Sequence, residues 1–256
     1  MRRCAVKGRR VWVTGASTGI GRAIAEELLR RGAHVALSAR SQDPLETLAG
    51  SWGADRALVL PLDVTDRAAT IEALERVRRQ WGGLDMAVLN AGTCEYVDVA
   101  RFDSTIFERT MRTNVLSMVY GVEAALPLLR QSPRPHLVGM SSTVAWRGLP
   151  RAEAYGASKA AIKNFLEALR ADLAPEGIPV SIIYPGFVKT PLTDRNDFPM
   201  PFKIEADEAG RRIVEGIERQ VLDLHFPKRF SIPFKVLTLL PPRLYLAVCR
   251  RMVRPT

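Results

Sequence analysis

Tyr155 and Lys159 stand four residues apart in the run Tyr155-Gly156-Ala157-Ser158-Lys159. On a helix that spacing puts both side chains on one face, about one turn apart. A free phenol has a pKa near ~10, too high for proton exchange at neutral pH, and a nearby ammonium favours its phenolate. Lys159 is therefore expected to tune Tyr155 as a general acid–base group. Ser142 closes a short apolar run, Met140-Ser141-Ser142, where its hydroxyl can hydrogen-bond a substrate oxygen. A Tyr and a Lys at this spacing also occur on ordinary solvated helices, so the pair acquires meaning only from its company.

A second constellation opens the chain. Arg10 to Thr14 is short and β-rich, and Gly19 to Arg31 places Ile20, Ile24, Leu28 and Leu29 at helical spacing. Between them lies Thr14-Gly15-Ala16-Ser17-Thr18-Gly19-Ile20-Gly21. Such glycines permit a tight turn and let a pyrophosphate approach the backbone at a helix N-terminus. The spacing is G-x-x-x-G-x-G and not G-x-G-x-x-G, and a turn of this kind also occurs without any ligand. Its place in the first strand–helix unit favours a nucleotide site. The next strand ends Ser38-Ala39-Arg40, with no acid to meet a ribose 2′-hydroxyl. The planar fork of an Arg there pairs with a 2′-phosphate, which favours NADP(H), with NAD(H) the alternative.

The elements that must hold these residues recur as strand then helix. Short apolar runs follow at His34 to Ala39, Ala57 to Leu62, Leu84 to Leu89, His136 to Met140 and Val180 to Tyr184, with a weaker one at Asp223 to Phe226. Near-continuous apolar strands alternating with amphipathic helices imply a parallel sheet covered on both faces. The predicted fold class is α/β, a single doubly wound Rossmann-type domain of about seven strands. Ligands in such sheets sit beyond the carboxyl ends of the strands, where the residues above fall.

The composition sets outer limits. The chain has 256 residues, 47% of them hydrophobic and 25% charged, enough for a full core in one domain. The net charge of +10 is concentrated at the ends: five bases in residues 1–10 and seven in 224–256, leaving a middle of net −2. A nearly neutral body with basic ends argues against a nucleic-acid groove. Cys4, Cys94 and Cys249 make an odd count, read as reduced thiols, and a cytoplasmic protein without a secretory signal is expected. No metal site is expected.

Taken in order, Thr14-Gly15-x-x-x-Gly19-Ile20-Gly21, Asn90-Ala91-Gly92, Asn114, Ser142, Tyr155-x-x-x-Lys159 and Pro185-Gly186 resemble the short-chain dehydrogenase/reductase family over roughly residues 8–225. The resemblance implies that Tyr155 protonates a carbonyl, that Ser142 polarises the same oxygen, and that Lys159 also binds the nicotinamide ribose. It further implies that Asn114 holds a relay water, that Asp63 and Val64 contact adenine, and that Asn90 lies beside the adenine ribose, followed by Ala91 and Gly92. Ser17 and Thr18 belong to the pyrophosphate turn, and Pro185, Gly186, Val188 and Thr190 cradle the nicotinamide. Arg40 matches the basic position of NADP-preferring members. One departure is Leu89, where the family often has Asn.

Loops expected to face substrate carry Val144, Trp146, Leu149, Leu192, Phe198 and Phe202, with a lid at about 191–204. This apolar set predicts a hydrophobic carbonyl or secondary alcohol, steroid-, lipid- or retinoid-like. The alternatives are a 3-oxoacyl-(acyl-carrier-protein) reductase and a non-catalytic NADP-binding scaffold. A homodimer or homotetramer is implied by the resemblance, through long helices beginning near Ser104 and Ala152. Residues 1–226 are read as the catalytic domain and 227–256 as a basic amphipathic extension of two short helices around Pro241-Pro242. That extension is open to three uses: peripheral contact with a membrane on its cytoplasmic face, a cap on the pocket, or a subunit contact.

Overall fold

The computed structural model describes residues 5–252, so Arg2, Arg3, Cys4 and Arg254 of the basic ends and the odd-cysteine count lie outside the described residues. Seven strands form one parallel sheet: β1 (Arg10–Thr14), β2 (His34–Ala39), β3 (Ala57–Pro61), β4 (Met86–Leu89), β5 (Leu137–Met140), β6 (Val180–Pro185) and β7 (Asp223–Phe226). Their order across the sheet is β3-β2-β1-β4-β5-β6-β7, so the direction of winding reverses between β1 and β4. That reversal opens the crevice in which doubly wound sheets bind ligands. The architecture is the single α/β Rossmann-like domain expected; β1, β2 and β7 have the expected limits and the other four strands differ from them by one or two residues.

Alternation along each strand divides the core in two. Val11 and Val13 face one layer with Val35, Leu37, Met86, Val88, Val138 and Ile183. Trp12, Ala36, Ala87, Leu89, Leu137 and Ile182 face the other. The first layer is closed by α1 (Gly19–Arg30), α2 (Asp43–Gly50) and α7 (Ala206–Glu218). The second is closed by α3 (Arg67–Trp81), α5 (Ser117–Leu129) and α6 (Glu153–Leu173). Burial on both faces explains why the strands read as unbroken apolar runs.

The helix expected from Ser104 is not continuous. It runs as α4 (Ser104–Met111), widens into a π turn at Arg112–Leu116 and resumes as α5. Asn114 causes the irregularity to be stable: its Nδ2 donates to Thr93 O at 3.0 Å and Ser158 Oγ at 2.9 Å, while its Oδ1 accepts from Thr93 N at 2.7 Å. Two helices follow β7, α8 (Lys228–Thr238) and α9 (Pro242–Arg250), the second capped by Pro241 and opening on Pro242.

Candidate active site

The turn after β1 is shaped by backbone contact. Gly15 has φ of 68° and Gly19 φ of 55°, the left-handed region that favours glycine. A Cβ on Gly21 would lie 2.1 Å from Gly15 O, and one on Gly19 would lie 3.0 Å from Thr190 Cγ2. Thr14 Oγ1 accepts from Asn90 N at 2.9 Å and Ala91 N at 3.1 Å, and Asn90 Nδ2 donates to Thr14 O at 3.0 Å. Asn90 therefore bolts the end of β4 to the turn after β1, which holds the mouth of the crevice in shape.

A cavity of about 680 Å³ runs along the carboxyl ends of the strands. Its wall includes Gly15, Ser17, Thr18, Gly19, Ile20 and Gly21 of the turn, and Arg40, Asp63 and Val64 at the ends of β2 and β3. It continues past Asn90, Ala91 and Gly92 to Ser142, Tyr155 and Lys159, with Pro185, Gly186, Val188, Thr190 and Leu192 opposite. Residues scattered over 178 positions of sequence thus converge on one space. The narrow glycine cradle at one end and Arg40 beside it fit a dinucleotide phosphate; among the described residues no group of three His, Cys, Asp or Glu is placed to hold a metal.

Asp63 holds the edge of this space through its own loop. Its Oδ1 accepts from Thr65 N at 2.9 Å and Thr65 Oγ1 at 2.8 Å. The backbone bond from Thr65 leads in keeping the carboxyl below its ordinary pKa, aided by the Thr65 hydroxyl and the Arg40 charge. Asp63 is thus ionised and faces Arg40 across the rim.

At the other end, β5 delivers Ser142 and the start of α6 delivers Tyr155 and Lys159. Ser142 Oγ donates to Pro185 O at 3.4 Å and accepts from Val144 N at 3.4 Å. Lys159 Nζ donates to Met140 O at 3.0 Å and lies 5.8 Å from the centre of the Tyr155 ring. Asn114 is fully buried behind this group and, though not on the cavity wall, supports it: a Cβ on Gly92 would lie 3.1 Å from Asn114 Oδ1 and 3.4 Å from Lys159 Nζ.

The electrostatics depart from the sequence reading. Burial pushes the Tyr155 phenol up, Cys94 adds to that, and the Ser142 hydroxyl pulls the other way. Burial meanwhile lowers Lys159 to about 8, with Cys94 opposing. Tyr155 accordingly keeps its proton at neutral pH, in the form of a proton donor, and Lys159 is the group that titrates nearest neutrality. Burial raises the Cys94 thiol to about 11, so it too is protonated.

The expected substrate residues divide. Leu192 lines the main cavity. Phe198 packs edge-on against Tyr96 at 5.6 Å and Phe187 at 6.1 Å and does not line the cavity. The same segment is held by Tyr96 Oη donating to Asn196 Oδ1 at 2.6 Å and by the Arg151–Asp197 ion pair at 2.8 Å. Val144 and Leu149 instead border a separate cavity of about 590 Å³ with Arg147, Tyr245 and Cys249. Trp146 lies outside the main cavity, stacked on Phe234 at 6.1 Å and against Tyr184 at 5.5 Å. Phe202 is 54% exposed with φ of 58°. These four were expected at the substrate because their loop follows β5 or β6; the helices beyond β7 draw the first three aside.

Sequence reading also missed Glu95, Arg109, Arg112 and Arg195, all on the cavity wall. Arg109 and Arg112 are three apart, a helical spacing that carries them to the same side, two residues ahead of Asn114. That spacing was the available signal. Surface arginines on a helix ordinarily read as solvated.

Three comparisons bear on this arrangement. Residues 9–198 match the model of the short chain dehydrogenase family. An uncharacterized oxidoreductase of Myxococcus xanthus is 39% identical over 246 residues, 95% of this chain and 97% of that protein. The 11-beta-hydroxysteroid dehydrogenase A of Sesamum indicum is 33% identical over 220 residues, 84% of this chain and 60% of that one. Among solved structures, a short-chain dehydrogenase from Streptomyces avermitilis has a TM-score of 0.82 at 26% identity, covering 96% of this chain and 97% of its own. One from Burkholderia cenocepacia, in complex with NADP, also has a TM-score of 0.82, at 25% identity, covering 98% of this chain and 99% of its own.

The chain belongs to the short-chain dehydrogenase family. It is an oxidoreductase of that type, with the family's NAD(P)-binding fold.

Proposed function

We propose that the protein is an NADP(H)-preferring reductase, or the reverse dehydrogenase, acting on a hydrophobic carbonyl or secondary alcohol of steroid-, lipid- or retinoid-like character. The observation that carries this is the single cavity joining Arg40 at one end to Tyr155 at the other. Arg40 pairs with the 2′-phosphate, the glycine turn with Ser17 and Thr18 takes the pyrophosphate, and Asp63 and Val64 meet the adenine. Asn90 shapes the ribose site, while Pro185, Gly186, Val188 and Thr190 hold the nicotinamide. When bound, the nicotinamide supplies or accepts the hydride.

Tyr155 donates its phenolic proton to the substrate oxygen, and the Ser142 hydroxyl hydrogen-bonds the same atom. Lys159 holds the ribose and carries charge beside the phenol, while Asn114 fixes the wide turn behind it and holds the relay water. The lid at about 191–204 closes the site within a catalytic domain of residues 1–226, followed by the 227–256 extension. The Burkholderia relative in complex with NADP supports the choice of cofactor, and the Sesamum relative's name supports a hydrophobic substrate. Assembly as a homodimer or homotetramer is the expectation for such a protein, in the cytoplasm.

A second reading is favoured by Arg112 and Arg195 on the cavity wall: a 3-oxoacyl chain presented by an acidic carrier protein. Steady-state NADPH oxidation with ketones graded in chain length and ring size, beside a carrier-bound 3-oxoacyl chain, separates the two. kcat/KM that rises with apolar size supports the first reading. Turnover confined to the carrier-bound chain replaces it with the second, and turnover of neither refutes both.

A further inference from the structure

The two helices after β7 present different chemistry on their two faces. Inward, Phe230 meets Phe187 at 5.1 Å and Phe234 stacks on Trp146. Arg147 Nη1 donates to Thr238 O and Leu240 O, both at 2.6 Å, and its guanidinium lies 3.9 Å from the centre of the Tyr245 ring. Tyr245 Oη donates to Gly148 O at 2.7 Å. The inner face thus packs on the 146–148 strip and on Phe187, with Tyr245 and Cys249 of α9 bordering the cavity of about 590 Å³.

Outward, Ile232, Val236 and Leu239 are 52%, 61% and 82% exposed. At 100° per residue these positions fall within one arc of α8, flanked by Arg229, while Lys228 Nζ donates to His225 Nε2 at 2.9 Å and Lys235 Nζ lies 5.1 Å from the centre of the Trp146 ring. On α9 the exposed side chains include Arg243, Leu244, Leu246 and Arg250. Six of the twelve large hydrophobic side chains exposed among the described residues lie in these helices and their end, which marks a concentrated surface. Residues 224–256 contain seven bases and no acid, and none of Arg229, Arg243, Arg250 and Arg251 is in an ion pair.

We propose that this outer face lies on an anionic lipid surface, with Ile232, Val236 and Leu239 at the acyl boundary and the bases on the headgroups. Charge decides the occupant. A second copy would set one wholly basic face against another, whereas an anionic bilayer complements both the charge and the apolar stripe. No helix among the described residues is long and apolar enough to cross a membrane, so the contact is peripheral.

The test is flotation of the full chain with phosphatidylcholine vesicles, with and without about one-third phosphatidylglycerol, at about 0.1 M and about 1 M salt. The wild type is expected to float with the anionic vesicles alone and to lose binding at high salt. Val236→Glu with Leu239→Glu, and separately Arg243→Glu with Arg250→Glu, are expected to lower the bound fraction about tenfold or more at unchanged Tm. Absence of flotation at low salt overturns the proposal, as does wild-type flotation by both variants. A smaller particle on size exclusion for the Val236→Glu, Leu239→Glu variant, with no wild-type flotation, would make the face a subunit contact instead.

Discussion

Lys159 and Ser141 bind each other's segments reciprocally: Lys159 Nζ donates to Met140 O at 3.0 Å, and Ser141 Oγ donates to Lys159 O at 2.9 Å. The first turns of α6 are thereby fastened to the end of β5, and Ser142 is held against Tyr155. A cavity running from this junction to Arg40 follows from where the sheet places the two strand ends. The ammonium is buried at this junction, and its removal from water lowers its pKa to about 8.

The first expectation is a pH effect. Lys159 is charged below about 8 and neutral above it, so NADPH affinity is expected to fall as pH rises through that value. In Lys159→Met the affinity is weaker and flat across the same range. Fluorescence titration of NADPH at several pH values checks this, and an unchanged fall in Lys159→Met would show that another group is responsible.

Gly21→Ala is expected to abolish cofactor binding and to destabilise the fold by about 1–3 kcal/mol. Its Cβ meets Gly15 O at 2.1 Å and Asn90 Nδ2 at 2.4 Å, neither of which yields without moving the turn. Thermal melts with and without NADPH read both effects. A variant with wild-type Tm and wild-type cofactor response would contradict the close packing.

Arg40→Ala is expected to weaken NADPH by about 10–100-fold, the loss of about 1.5–3 kcal/mol for a charge-assisted contact. NADH binding should change less than about twofold on the same grounds. Isothermal titration with both cofactors measures the ratio, and equal weakening of the two would remove Arg40 from 2′-phosphate recognition.

The sheet was legible because burial on both faces leaves each strand an apolar run between polar or glycine punctuation, as in His34–Ala39. Those cavity residues that follow strand ends, such as Arg40, Asp63, Asn90 and Ser142, were legible for the same reason, while Arg109 and Arg112 on a helix were not. Long-range aromatic packing was not. Trp146 looks like a substrate residue by position, yet Phe234, 88 positions later, claims its face. The wide turn at Asn114 was visible only as an Asn within a helix, because its partners Thr93 and Ser158 are remote in sequence. Cys94 gave no signal at all, being a lone thiol whose importance is its nearness to Tyr155 and Lys159.

His136 supplies a stability prediction away from the site. It is fully buried; Ser181 Oγ donates to Val221 O at 2.7 Å, so His136 Nε2 carries the proton it donates to Ser181 Oγ at 2.9 Å. Burial, with Arg9 adding repulsion, lowers its pKa from 6.5 to about 3. A depressed native pKa means that the unfolded chain takes up the proton first. Stability from this group is complete above pH 6.5 and declines as pH falls toward 3, by at most about 1.4 kcal/mol per pH unit. Urea unfolding between pH 7 and 4 should show this slope in wild type and a shallower one in His136→Gln; equal slopes would place the acid sensitivity elsewhere.

The most direct test of the account is NADPH oxidation by Tyr155→Phe against the wild type, on a ketone the wild type turns over, with NADPH affinity measured alongside. Removing the phenolic proton donor is expected to lower kcat by about 10²–10⁴-fold while leaving NADPH affinity within about twofold. Comparable kcat in the variant would contradict the assignment of Tyr155 as the acid, and with it the proposed chemistry of the cavity.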